Sequence, residues 1–188
     1  MPNIRWSMVL CLVAGVVLGA AGIIVSLEIN RATSTDALCT SCHSMAQLAS
    51  DQLYQRAPHQ ANSAGVRPTC ADCHIPRTNW FVETYIHIHS GIGDMIAEST
   101  HNFSDPNIWE ARRVELAPLV RAKMHAQDSV TCRSCHDAAA IKPQTESGRA
   151  AHALLRQGGA TCVDCHSNIH GRLPPSGAAA SGGGDQTK

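Results

Sequence analysis

Three Trp, two Tyr and two Phe are all the aromatic residues in this 188-residue chain, too few to close a hydrophobic core in the ordinary way. An excess of charge is also missing, because fifteen basic residues are balanced by fifteen acidic ones. That balance excludes the broad basic face that binds nucleic acid. Long apolar runs are confined to one, from Ser7 to Leu27. The chain beyond that run amounts to a modest single domain, and something other than side chains must supply much of its interior.

Cysteine and histidine, by contrast, are present in one repeated arrangement. Eight of the nine cysteines fall in four C-x-x-C-H motifs: Cys39-Thr-Ser-Cys42-His43, Cys70-Ala-Asp-Cys73-His74, Cys132-Arg-Ser-Cys135-His136 and Cys162-Val-Asp-Cys165-His166. In such a motif two thiols one turn apart can form thioethers with the vinyl groups of one haem, while the next residue presents an imidazole to its iron. Four motifs mean four covalently bound c-type haems, which would provide the missing core. Structural zinc sites also use paired C-x-x-C, but they do not require a His directly after every pair. A disulfide framework gives no reason for the repeated His either.

The apolar run is about twenty residues, which at 1.5 Å per residue matches a hydrocarbon core roughly 30 Å thick. It exceeds the apolar region of a cleaved signal peptide, so an uncleaved signal anchor is expected. Because c-type haem is attached after export, the expected layout is a cytoplasmic N-terminus at 1–6, a membrane span at 7–29 and a periplasmic tetrahaem domain at 30–173. A Gly-, Pro- and Ser-rich tail at 174–188 should be disordered. The membrane would be the bacterial inner membrane. Gly15 and Gly19 form a G-x-x-x-G face through which a homo-oligomer could form, and Cys11 in the same run reads as a small buried hydrophobe.

Cys39 and Cys70 are 31 residues apart and Cys132 and Cys162 are 30 apart, with His59 eleven before Cys70 and His152 ten before Cys162. The repeat predicts two dihaem modules. Seven histidines lie outside the motifs: His59, His87, His89, His101, His125, His152 and His170. Haems 2, 3 and 4 would draw three second axial ligands from them. Met45, two residues after His43, is placed either to compete for or shield the iron of haem 1 or to pack on its porphyrin.

Between the modules, Ile86, Ile88, Ile92, Met95 and Ile96 predict a helix over 84–97, with Gly91 and Gly93 loosening it. Asp105-Pro106 predicts an N-cap and first helical residue for a helix through Trp109, Leu116 and Met124. Pro118 should kink or interrupt it. Arg112, Arg113 and Arg121 could pair with haem propionates, although a solvated face is the default. The fold class is mainly α: one N-terminal transmembrane helix and a small multihaem cytochrome c domain with little regular sheet.

The combination resembles the membrane-anchored tetrahaem cytochromes c of the NapC/NirT family. The resemblance is carried by the single anchor, the four motifs, Cys-Thr-Ser-Cys-His-Ser-Met at the first, Ser63-Ala-Gly-Val-Arg-Pro-Thr-Cys-Ala-Asp-Cys-His-Ile-Pro76 at the second and Thr161-Cys-Val-Asp-Cys-His-Ser-Asn-Ile-His170 at the fourth. It spans roughly residues 1 to 173. It implies a dehydrogenase of membrane quinol that passes electrons to a periplasmic terminal reductase; docking surfaces leave no local motif, and the expected reductase is nitrate reductase first, then nitrite or N- and S-oxide reductases. It implies Met45 at haem 1, His59 as the sixth ligand of haem 4 and His170 of haem 3. At haem 2 it points to His87, with His89 and His152 as rivals, and it places Asp94 as an acid near haem 1. The chain departs from the family pattern with an extra residue around Asn79 and with Arg77 where relatives often have His.

Quinol oxidation releases two electrons and two protons, and Asp94 could take a proton from the hydroxyl. The alternative is a small nitrite or hydroxylamine reductase acting alone. No motif carries the dense set of Lys, Arg and Tyr that would bind an oxyanion.

Overall fold

The structure, a computed structural model, describes residues 2–171, with side chains from Arg5 onward. The tail expected to be disordered lies outside them. Ten helices and no strand occur among the described residues.

α1 (Pro2–Thr33) carries the apolar run. It is long and apolar enough to cross a membrane, and from Trp6 to Ile29 its large hydrophobic side chains are exposed. The helix extends beyond Leu27 through Glu28 and Arg31, which pair with each other at 3.7 Å. Polar groups then fix its end to the rest of the protein. Buried Asn30 donates from Nδ2 to Thr84 Oγ1 at 2.9 Å, and buried Ser34 lies 3.2 Å from His87 Nε2.

Short helices carry the motifs: α2 (Asp36–Cys39), α3 (His43–Ser50), α5 (Cys70–His74), α8 (Val130–Arg133) and α10 (Cys162–Cys165). α4 (Gln52–Arg56) and α9 (Glu146–Arg156) lie in the segments that lead to the second and fourth motifs. Two long helices separate the modules. α6 (Trp80–Thr100) begins at Asn79, whose side chain caps Val82 N–H, and runs through Gly91 and Gly93. α7 (Pro106–Ala126) begins as its sequence predicts, with Asp105 accepting from Asn107 N–H and Pro106 in the first turn.

Pro118 does not interrupt α7. Proline removes one backbone donor at a cost of about 3 kcal/mol, but this helix is secured at both ends. Asp105 caps its start, and Ser129 N–H bonds Met124 C=O at 2.8 Å just beyond its end. The arginines Arg112 and Arg113 are engaged along their own helix, with Glu115 at 2.7 Å and Glu110 at 2.6 Å respectively.

The sequence repeat is also a structural one. Cys70 N–H donates to Asp36 Oδ1 at 2.8 Å, tying the second motif to the turn before the first. Val163 N–H donates to Ser129 Oγ at 3.3 Å, tying the fourth to the turn before the third. Both bonds span 34 residues and both start three residues before a motif's first cysteine. α5 packs on α8, joining the two halves. Among the described residues the buried apolar side chains are six: Ala57, Ala71, Ile86, Phe103, Trp109 and Val163. That is far below what a domain of this length needs.

Candidate haem site

In the second and fourth motifs a threonine precedes the first cysteine and an aspartate comes two residues after it. Thr69 and Asp72 form a reciprocal capping box, with Asp72 Oδ2 accepting from Thr69 N–H at 2.8 Å. Asp164 Oδ2 accepts from Thr161 N–H at 2.6 Å in the same way. These bonds hold both carboxylates ionised, and each carboxyl lies below its ordinary range, chiefly through that backbone N–H. They also fix the single turn that sets the cysteine pair at haem spacing.

None of the nine cysteines is paired in a disulfide. Burial, before any other cause, pushes Cys39, Cys42, Cys73 and Cys132 up, and Cys70 to about 12. These are not the activated thiolates of a redox C-x-x-C. Nor do three His, Cys, Asp or Glu side chains converge as a zinc site requires, among the described residues. The first cysteines of each module lie close enough to act on each other electrostatically, Cys39 with Cys70 and Cys132 with Cys162. Cys73 in turn feels Cys132 and Cys135. With α2 packed on α5, α5 on α8, and Ser129 bonded to Val163, the motifs meet one another in the order one, two, three, four.

Three motif histidines each face a histidine from elsewhere in the chain. His74 and His170 have ring centres 5.9 Å apart, His136 and His59 6.0 Å, and His166 and His152 6.2 Å. Two imidazoles binding one iron from opposite faces, each nitrogen about 2 Å from the metal and each ring centre about 1 Å further, stand roughly 6 Å apart. Enclosure by surrounding protein atoms, then His170 and Lys123, push His74 down to about 4, although the residue as a whole keeps solvent-accessible surface. Burial and the His59 and Arg113 charges lower His170 as well. Both stay neutral near pH 7, the form that binds metal. His152 Nδ1, Trp109 Nε1 and Arg112 Nε are buried without partners, and the last two are donors suited to a carboxylate such as a haem propionate. Thiols, imidazole pairs, orphaned donors and the sparse apolar core all fit haem.

The profile of the NapC/NirT cytochrome c family, N-terminal region, matches residues 1–176. The chain belongs to the NapC/NirT cytochrome c family. It is 40% identical to the cytochrome c-type protein TorY of Haemophilus influenzae over 88% of its own length and 44% of TorY. It is 33% identical to the denitrification system component NirT of Stutzerimonas stutzeri over 92% and 86%, and 33% identical to the cytochrome c-type protein NapC of Paracoccus pantotrophus over 76% and 60%. The chain thus spans less than half the length of TorY. No solved structure matches it significantly. Membership makes this a membrane cytochrome of electron transport with covalently bound haem c.

The ring positions differ from the pairing that the NapC/NirT resemblance implies. His59 faces the third motif rather than the fourth, and His170 faces the second rather than the third. His152, one of the rivals for haem 2, faces the fourth. Among the described residues His87 faces no motif histidine; its ring lies between Ser34 Oγ and Glu83 C=O, each 3.2 Å away. His89 stacks on Tyr85 at the surface, and His125 bonds Asp164 at 2.8 Å. Each of these ring pairs is closed by tertiary packing between separate segments of the chain.

The first motif is built differently. His43 and Met45 both lie on α3, two residues and so about 200° apart, and cannot face one iron together. Glu98, which the sequence did not single out, grips the start of that helix. It accepts from His43 N–H at 3.2 Å, from Ser44 N–H at 3.3 Å and from Ser44 Oγ, and stands 3.7 Å from His43 Nδ1. Asp94, one turn before Glu98 on α6, acts electrostatically on Cys39 and Cys42. Partial burial and then the Glu98 charge raise Asp94 above the ordinary carboxylate range, and Lys123 pulls it back. Met45 is half-buried.

Each of these supports can be weakened singly. Glu98→Gln should cost about 1 kcal/mol of stability as a weakened cap and alter the absorption of one haem in four; an unchanged haem spectrum would deny it a positioning role. Gly171, next to His170, has φ +70°, and a Cβ there would collide with the Leu53 carbonyl. Gly171→Ala should lower the melting temperature by several degrees, from roughly 1–3 kcal/mol of strain, and loosen axial ligation by His170. Wild-type melting would show that the segment simply yields.

Proposed function

We propose that this chain is a single-span, quinol-oxidising electron carrier of the bacterial inner membrane, with its haem domain in the periplasm and a terminal reductase as acceptor. The haems, when bound, supply one-electron redox chemistry. The row of four motifs that starts at the end of α1, with Asp94 and Glu98 beside its first member, is the observation that carries the reading.

Cys39, Cys42, Cys70, Cys73, Cys132, Cys135, Cys162 and Cys165 would hold the four groups as thioethers. His74 with His170, His136 with His59, and His166 with His152 would fill both axial positions of haems 2, 3 and 4 and close them to other ligands. At haem 1 Met45 would serve, while Glu98 holds His43 on the other side of α3. That leaves the first site as the place for substrate.

Quinol gives up two electrons and two protons in becoming quinone. Asp94 is the acceptor for a proton from the hydroxyl, with Glu98 one turn along the same helix to share it and Lys123 near enough to stabilise the ionised form. Nitrate reductase is the first choice of acceptor, then nitrite, N-oxide and S-oxide reductases.

The partner is tested by adding quinol to the liposome-embedded chain, then each purified reductase with its substrate in turn. Reoxidation of the haems only when the correct reductase is present supports the reading. Turnover of nitrite by the chain alone, with no reduction by quinol, would replace it with a self-contained reductase.

A further inference from the structure

α6 is amphipathic the wrong way round for a helix in water. Phe81, Tyr85, Ile88, Ile92, Met95 and Ile96 keep the i, i+4, i+7, i+11, i+14, i+15 spacing of one helix face, within an arc of about 100°. All six point outward, with 75, 65, 58, 55, 72 and 57% of their surfaces exposed. The opposite face carries Glu83, His87 and Glu98, which are half-buried against the protein, and Asp94, which keeps an exposed surface beside the first motif. Glu98 there is only 15% exposed along its side chain, and Ile86, also on the inner side, is buried.

We propose that α6 lies along the outer surface of the bilayer with this stripe in the boundary between headgroups and acyl chains. The proposal rests on the reading of α1 as a membrane span. Its occupant is set by continuity: Asn30 and Ser34 at the end of α1 bond Thr84 and His87 on α6, at 2.9 and 3.2 Å. The stripe therefore begins at the level where α1 leaves the hydrocarbon and prolongs the same apolar surface. Trp80, Phe81 and Tyr85 cluster at that end, where aromatic side chains favour the membrane interface. α6 contains no Lys or Arg, unlike interfacial helices whose basic face meets the headgroups, because its polar face is engaged with the first motif. A soluble protein rarely leaves so continuous an apolar stripe to water. With the stripe in lipid, a quinol headgroup need cross only the width of α6 to reach Asp94.

The test uses the full haem-loaded chain in phosphatidylcholine vesicles doped with a phosphatidylcholine carrying a diazirine on its acyl chain, with photolysis and then peptide mass spectrometry. Adducts should appear on α1 and on the stripe of α6, the latter several-fold above α7 and α9. Ile88→Glu/Ile92→Glu, with haem content unchanged, should remove most of the α6 adducts and leave those on α1. Adducts on α1 with α6 no higher than α7 would overturn the proposal alone. In that case, chain-to-chain cross-links through α6 formed by an added bifunctional diazirine would give the stripe to a second copy. A lack of adducts on α1 itself would instead remove the membrane-span reading.

Discussion

Asp94→Asn should slow quinol-driven haem reduction by about a hundredfold or more, the usual contribution of a positioned general base, and leave reduction by dithionite as fast as in wild type. The reason is local. Asp94 acts on the first cysteine pair, sits one turn from Glu98 and is raised above the ordinary carboxylate range first by burial and then by the Glu98 charge. A proton acceptor must be ionised, and a raised carboxyl ionises only at higher pH. The wild-type rate should therefore fall, as pH is lowered, in a range above that of an ordinary aspartate. The Asn variant should show a flat profile there. A variant with wild-type rate and wild-type pH dependence would take Asp94 out of the chemistry.

The second large effect separates the ring geometry from the pairing the family resemblance implies. His170→Met should change the ligation of one haem, visible in electron paramagnetic resonance as the replacement of one bis-histidine signal by one of different g-values. If His170 and His74 serve the same iron, as rings 5.9 Å apart suggest, the double variant His74→Met/His170→Met should perturb one haem of the four. His136→Met/His170→Met should perturb two. The reverse counts would restore His170 to the third haem. The same comparison applies to His59 with His136 against His59 with His166.

Distance along the chain separates the features that are legible in the sequence from those that are not. The four attachment motifs, the apolar span and the Asp105-Pro106 helix start are local patterns whose chemistry is complete within a few residues. The repeat in cysteine spacing is equally plain, and it reappears as two hydrogen bonds of identical span. The histidine partners are not legible, since His170 reaches across the whole domain to His74. Glu98 leaves no local signal, because a carboxylate in mid-helix reads as solvated until its partners 54 and 55 residues away are known. The apolar spacing of α6 is visible but points to the wrong environment. Of the five hydrophobic residues that predict the helix, only Ile86 is buried, because periodicity shows that a helix has an apolar side and not what that side meets. Pro118 shows the converse, a local breaker overridden by a helix held at both ends.

The most direct test is an anaerobic titration of the full haem-loaded chain in liposomes with a reduced membrane quinone, monitored in the haem absorption bands. The account predicts that quinol alone brings the protein to the absorbance reached with dithionite, with haem iron at four per chain. Full reduction by dithionite and none by quinol, or haem iron well short of four, would contradict it.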